Sequence, residues 1–351
     1  MVAELPGTPL EVVEHQAQQC GRAGSPLYEQ ILLGVADDLR AGGVTAALLD
    51  GRRDDPFGSA LALRFLGAVH RLVLDGRAPA LAALYPSAGG NPAAGDPVAT
   101  FLATVAEHRA EVATRLTDGV QTNEVGRAAV LVGGYATVSA RLRLPLRLLE
   151  VGASAGLNLR FDHYAYDTGS MVSGDPASPV RFRGVWEGDP PSLPERFDIA
   201  ERRGCDRNPL DPTTEEGRAV LLSYVWPDQL DRLARLSAAI AVAQHVPVTI
   251  DRAEAADWTS ARLADSAPGV ASVVVHSIVL QYLPADRRRR FRAAIDDAGR
   301  RATSVAPLAW LRMEPAGERA ELRLTMWPGG TDEVLATAGY HGQPIWWGAK
   351  Q

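Results

Sequence analysis

The sequence predicts an α/β protein: a helical N-terminal domain over about 1–140, then a mostly parallel sheet with helices on both faces over about 141–351. Three observations predict it. Apolar residues in the first part recur at helical spacing behind serine–proline and aspartate–proline starts. After Arg143, short strand-like runs alternate with helical stripes, as in sheets built from strand–helix crossovers. Where the two patterns meet stands Leu146-Arg-Leu-Leu-Glu-Val-Gly-Ala-Ser-Ala-Gly-Leu-Asn158. It reads as an apolar strand that stops at an acidic residue and enters a glycine-spaced turn, with a helix expected to follow. In a parallel sheet that geometry brings a ligand against bare backbone at the strand end.

The helical part opens with Ser25 as cap and Pro26 at the first helical position, and runs to Arg40 with Leu27, Ile31, Leu32 and Val35 on one face. Phe57–Leu74 sets Leu61, Phe65, Val69 and Val73 at four-residue steps. Tyr85–Asp96, rich in Gly, Pro and Ala, is a loop. Asp96-Pro97 opens a helix to about Leu116, and Gln121–Glu124 begins another to about Leu142.

Leu146–Val151 is then the first strand. Tyr164–Tyr166 and Val180–Trp186 read as strand pieces around a loop, and Ile199–Asp206 as a longer strand. Leu230, Leu233, Leu236 and Ile240 form a helical stripe. Val246–Ile250 is a short strand, Gly269–Leu280 a long one, Asp286–Ala298 a helix and Leu308–Met313 a strand. Leu322–Trp327 and Pro344–Trp347 close the chain as two strands around Thr331–Ala338.

The chain has 351 residues, 46% hydrophobic and 22% charged, enough for a large core and two domains of ordinary soluble composition. Net charge is −6, and Arg287–Arg290 reads as the solvated face of a helix, so nucleic acid is not expected as a partner. Cys20 and Cys205 give no disulfide framework, which fits a reducing cytoplasm. Met1–Pro9 carries no secretion signal, and no run of about 18 apolar residues predicts a membrane span. No H-x-x-x-H or similar spacing predicts a metal. Oligomeric state is not legible.

In the turn, Gly152 admits positive φ, Gly156 lets the next element approach the strand, and Ala153, Ser154 and Ala155 leave space. Glu150 would repel phosphate and suits an ammonium or a hydroxyl pair. No G-x-x-x-x-G-K-[ST] occurs. The plain alternative is a tight strand-to-helix turn. Gly152-Ala-Ser-Ala-Gly156 also fits the G-x-S-x-G nucleophile elbow, which keeps a serine hydrolase using Ser154 open.

The turn resembles the first motif of Rossmann-like class I S-adenosylmethionine methyltransferases, [E/D]-x-G-x-G-x-G, with Glu150, Gly152 and Gly156 matching and Ser154 standing where glycine is usual. An antiparallel end to the sheet fits the same class. The resemblance implies S-adenosylmethionine as cofactor, held by Glu150, Gly152, Ser154, Gly156 and Asn158, with a small molecule as methyl acceptor. Asp206, with Asp162 and Asp167 as rivals, would hold the ribose. Asp257 and Trp258 would take the adenine, unless Asp257 merely caps a short helix carrying Trp258. His276 and Ser277 would face the methyl group, with His276 as a base or a buried core residue. Glu314 stands at a strand end as a second candidate, and His341 closes the pocket or makes a turn. Asn123, Glu124, Arg127 and Tyr282 are expected on the acceptor, unless the first three only cap a helix and charge its surface. A non-catalytic S-adenosylmethionine-binding protein is the other reading of the same fold.

Over its whole length the chain also resembles a bacterial family, domain of unknown function 2332. Ser25–Tyr28, Ala68–Leu74, Gln121–Arg127, Leu149–Asn158, Arg203–Asp206, Tyr224–Gln229, His276–Tyr282 and Tyr340–Gly342 carry that resemblance. It implies a full-length unit and names no activity.

Overall fold

The computed structural model describes residues 7–52 and 60–348. Eight strands form one sheet and three short ones a second. In chain order they are β1 (Leu146–Val151), β2 (Ala165–Asp167), β3 (Val172–Gly174), β4 (Arg181–Arg183), β5 (Ile199–Asp206), β6 (Thr249–Arg252), β7 (Ala271–Ser277), β8 (Leu308–Ala316), β9 (Arg319–Trp327), β10 (Thr331–Ala338) and β11 (Ile345–Trp347). The large sheet runs β11-β10-β9-β8-β7-β1-β5-β6, and β2 lies between β3 and β4 in the small one. The five strands from β6 to β8 are parallel and the last three fold back as an antiparallel meander. The protein is therefore of mixed α/β class with a large, mostly parallel sheet.

The apolar runs of β1 and β7 explain their central place: both are buried almost throughout, as a strand covered on two faces must be. The helix Ala128–Leu142 packs on β7–β10, with Gly133 against Trp347 and Gly134 against Leu311, where only glycine admits so close an approach. The helices Ala255–Arg262 and Ala285–Arg301 cover the other face, Phe291 and Ile295 packing with Leu149, Val274 and Trp310. Leu311 and Trp310, neighbours on β8, thus mark the two faces.

The chain divides into two compact units, one of residues 1–122 with 214–234, the other of 123–213 with 235–351. In the first, the helices Pro9–Arg22, Pro26–Arg40, Leu61–Leu74 and Pro97–Glu107 bury Ile31, Leu32, Phe65, Val69 and Phe101. The returning segment 214–234 is tied in by Trp226 in the same core. Asp228 accepts from Ser25 Oγ (2.6 Å) and Leu27 N (3.1 Å), and Arg71 forks onto Glu216 (3.0 and 2.7 Å).

Several elements depart from the sequence expectations. The helix expected over Phe57–Leu74 is described from Leu61 onward, Phe57 lying outside the described residues. That from Asp96 breaks at His108 and resumes as Arg109–Arg115. Residues 121–124 precede a short 3₁₀ turn, Val125–Arg127, and the helix starts only at Ala128. A 3₁₀ helix, Asn158–His163, follows the glycine turn in place of an α-helix. β6 begins three residues late, because Pro247 has no N–H for the ladder. Thr331–Ala338 is itself a strand, its acidic start neutralised by Arg312 and Arg323 on Asp332, so three antiparallel strands close the sheet.

Candidate functional site

Counted by position, the parallel strands run third-second-first-fourth-fifth, so the connections leave β1 in opposite directions. At such a switch point a crevice opens beyond the strand ends. Glu150 stands there. Its neighbours Leu149 and Val151 pack toward the helix Ala285–Arg301, so Glu150 points to the opposite face, that of Tyr135. It is 3% exposed, and its Oε2 has no hydrogen-bond partner. Burial pushes its pKa up to about 8. The charge of Asp206 adds to this, and Arg160 and Arg127 pull the other way. A buried carboxyl with an unused oxygen is costly, and a ligand bearing a cationic donor would offset that cost.

The turn beyond it holds three residues at positive φ: Gly152 (69°), Ser154 (51°) and Gly156 (65°). Its N–H groups are turned inward. Gly152 and Ala153 both donate to Cys205 O (2.9 and 3.0 Å), Ser154 to Asp206 Oδ2 (2.9 Å), Gly156 to Ala153 O (2.7 Å) and Leu157 to Asn123 Oδ1 (2.9 Å). These amides form no phosphate cradle. Asp206 is the last residue of β5, beside β1, and its other oxygen takes the Asn208 N–H at 2.8 Å. Its rivals are engaged elsewhere, Asp162 by Arg202 (2.7 and 3.0 Å) and Asp167 by Arg183 (2.8 Å).

The Asn123–Arg127 segment packs on this turn. Asn158, 2% exposed, donates to Glu124 O at 3.3 Å and keeps a partnerless Oδ1. Glu124 accepts from Gly126 N at 3.0 Å. Arg127 reaches Ser277 O (3.0 Å) and Tyr340 O (3.1 Å), linking the end of β7 to the loop that carries His341. Arg160, which the sequence reading passed over, braces the turn by donating to Ala155 O (3.1 Å) and Gly156 O (2.8 Å). Its one signal is a charge flanked by Leu159 and Phe161.

His276 and Glu314 lie elsewhere. His276 shares the face of Val274, fully buried with its ring edge toward Phe291. Trp310 Nε1–H donates to its Nε2 at 3.0 Å, so Nδ1 carries the proton and donates to Glu314 at 2.6 Å. Neither nitrogen is left for an acceptor's proton. Burial raises the Glu314 pKa, but the His276 contact and the Val279 and Leu280 N–H groups outweigh it and hold the carboxyl below its ordinary range. Trp258 is core too, its indole N–H bound to Asp251 at 2.7 Å. Asp257 is exposed and pairs with Arg290 at 2.5 Å, and the cap of their helix is Glu254. Tyr282 is partly exposed on the 3₁₀ turn Leu280–Tyr282.

Fold and site thus define an α/β protein with a buried carboxyl, Glu150, at the switch point at the end of its central strand. The chain belongs to the family described as uncharacterized protein conserved in bacteria, domain of unknown function 2332, whose model matches residues 11–347. No curated protein and no solved structure matches it. Among the described residues no group of three or more His, Cys, Asp or Glu is arranged to hold a metal, and no helix is long and apolar enough to cross a membrane.

Proposed function

We propose that the protein is a Rossmann-like S-adenosylmethionine-dependent methyltransferase acting on a small molecule. The observation that carries the reading is the partnerless Oε2 of buried Glu150 at the switch point. It suits the ammonium of the cofactor's methionine part, and Asn158 Oδ1 offers a second unused acceptor. Asp206, at the end of the second strand, has lone pairs left for the ribose hydroxyls. The inward-turned amides suit a cofactor without phosphate better than a dinucleotide. When bound, S-adenosylmethionine supplies an electrophilic methyl group. The protein's part is then to align the acceptor and exclude water, since His276 has no nitrogen to act as base.

The test is isothermal titration with S-adenosylhomocysteine. Micromolar binding weakened at least about tenfold in Glu150→Ala supports the reading, by the usual scale for a buried charged contact. Absence of binding to folded protein refutes it, and labelling of Ser154 by a fluorophosphonate would then favour hydrolase chemistry.

A further inference from the structure

The turn after β7 is built at a cost. Ile278 holds φ at +55°, a left-handed conformation that β-branched residues rarely adopt. Four contacts impose it. Ile278 N–H donates to Met313 O at 2.8 Å, and Ser277 O accepts from Arg127 at 3.0 Å. The Val279 and Leu280 N–H groups converge on the Glu314 carboxylate at 3.0 and 3.3 Å. Glu314 is itself fixed by His276 at 2.6 Å, and His276 by the Trp310 indole at 3.0 Å. Apolar residues would fill this space at lower cost, but would leave the two turn amides without an acceptor. The result of the arrangement is the seat of Val279. A methyl group added to Gly152 would stand 2.6 Å from Val279 Cγ2, so Val279 lies directly on the bare face of the glycine that follows Glu150 and Val151.

We infer that Trp310, His276 and Glu314 are positioning residues: they clamp the Ser277–Leu280 turn so that Val279 forms one wall of the crevice at Gly152. That the wall bounds a cofactor rests on the proposed function, and the clamp does not. In this arrangement no proton leaves Glu314 or His276. They act through the backbone of the turn, and their contribution to any ligand is the place of Val279.

Amide hydrogen exchange of the full-length protein tests the clamp, with Glu314→Gln as the main variant and Trp310→Phe as the milder one. The expected result is at least about tenfold faster exchange at Val279 and Leu280, with the amides of β1 and β5 unchanged, as for a local opening. Uniform acceleration across the sheet, or no change at Val279 and Leu280 in whichever variant folds, overturns the clamp. Titration with S-adenosylhomocysteine then tests the wall. Affinity about fivefold weaker in the clamp variants and in Val279→Ala is expected from a misplaced contact surface. If the wild type binds and the variants bind equally well, the wall is refuted. If the wild type does not bind, the cofactor reading falls and exchange alone decides the clamp.

Discussion

Replacing Glu150 by glutamine changes the protein's response to pH more than its shape. The carboxyl is fully buried, and its folded pKa of about 8 lies above the ordinary 4.5, with burial as the main cause. Between those values the folded protein holds a proton that the unfolded chain has released. Stability therefore falls as pH rises through this window, and is level below 4.5 and above 8. The distance from 4.5 to about 8, at about 1.4 kcal/mol per pH unit, amounts to about 5 kcal/mol. Glu150→Gln carries no such cost. Near pH 5 the variant should match the wild type to within about 1 kcal/mol, and near pH 9 it should be more stable by up to about 5 kcal/mol. Urea unfolding followed by circular dichroism at both ends of the range measures this directly. Two profiles that stay parallel would show that burial does not raise the Glu150 pKa, and the cost that a bound cation is argued to offset would be absent.

The opposite sign is expected at His70, in the first unit. It is fully buried between Ser223 O (3.1 Å) and Ser87 Oγ (2.8 Å), and burial lowers its pKa from 6.5 to about 4. Stability is complete above 6.5 and is lost as pH falls toward 4, by about 3 kcal/mol, and His70→Asn should flatten that limb of the acid-unfolding curve. Trp258→Phe removes the 2.7 Å bond to Asp251 and should cost about 1–3 kcal/mol in stability while leaving S-adenosylhomocysteine affinity unchanged. A matching loss of affinity would return Trp258 to the adenine site.

What the sequence made legible was local. The strand Leu146–Val151 with its glycine turn, the caps at Ser25 and Asp96, and the β-branched run of β7 follow from spacing and turn chemistry. Glu150 and Asp206 were found because a carboxylate at a strand end is visible in one dimension. The sequence did not show which face a strand residue takes. His276 and Glu150 look equivalent along the chain, yet the parity of β7 and β1 turns them to opposite sides of the sheet. Nor did it show that Trp310 would take the last nitrogen of His276, a contact across 34 residues. β10 was missed because a strand that opens Thr-Asp-Glu looks polar until Arg312 and Arg323 of its neighbours are placed beside it.

The most direct measurement is calorimetric titration of S-adenosylmethionine into the wild-type protein near pH 7, in two buffers of different ionisation heat, with Gly152→Trp as control. Binding of the ammonium should ionise Glu150, so micromolar binding with close to one proton released per molecule bound is predicted, and the control should bind nothing. Absence of binding to folded protein, or binding with the same heat in both buffers, would contradict a cation site at Glu150.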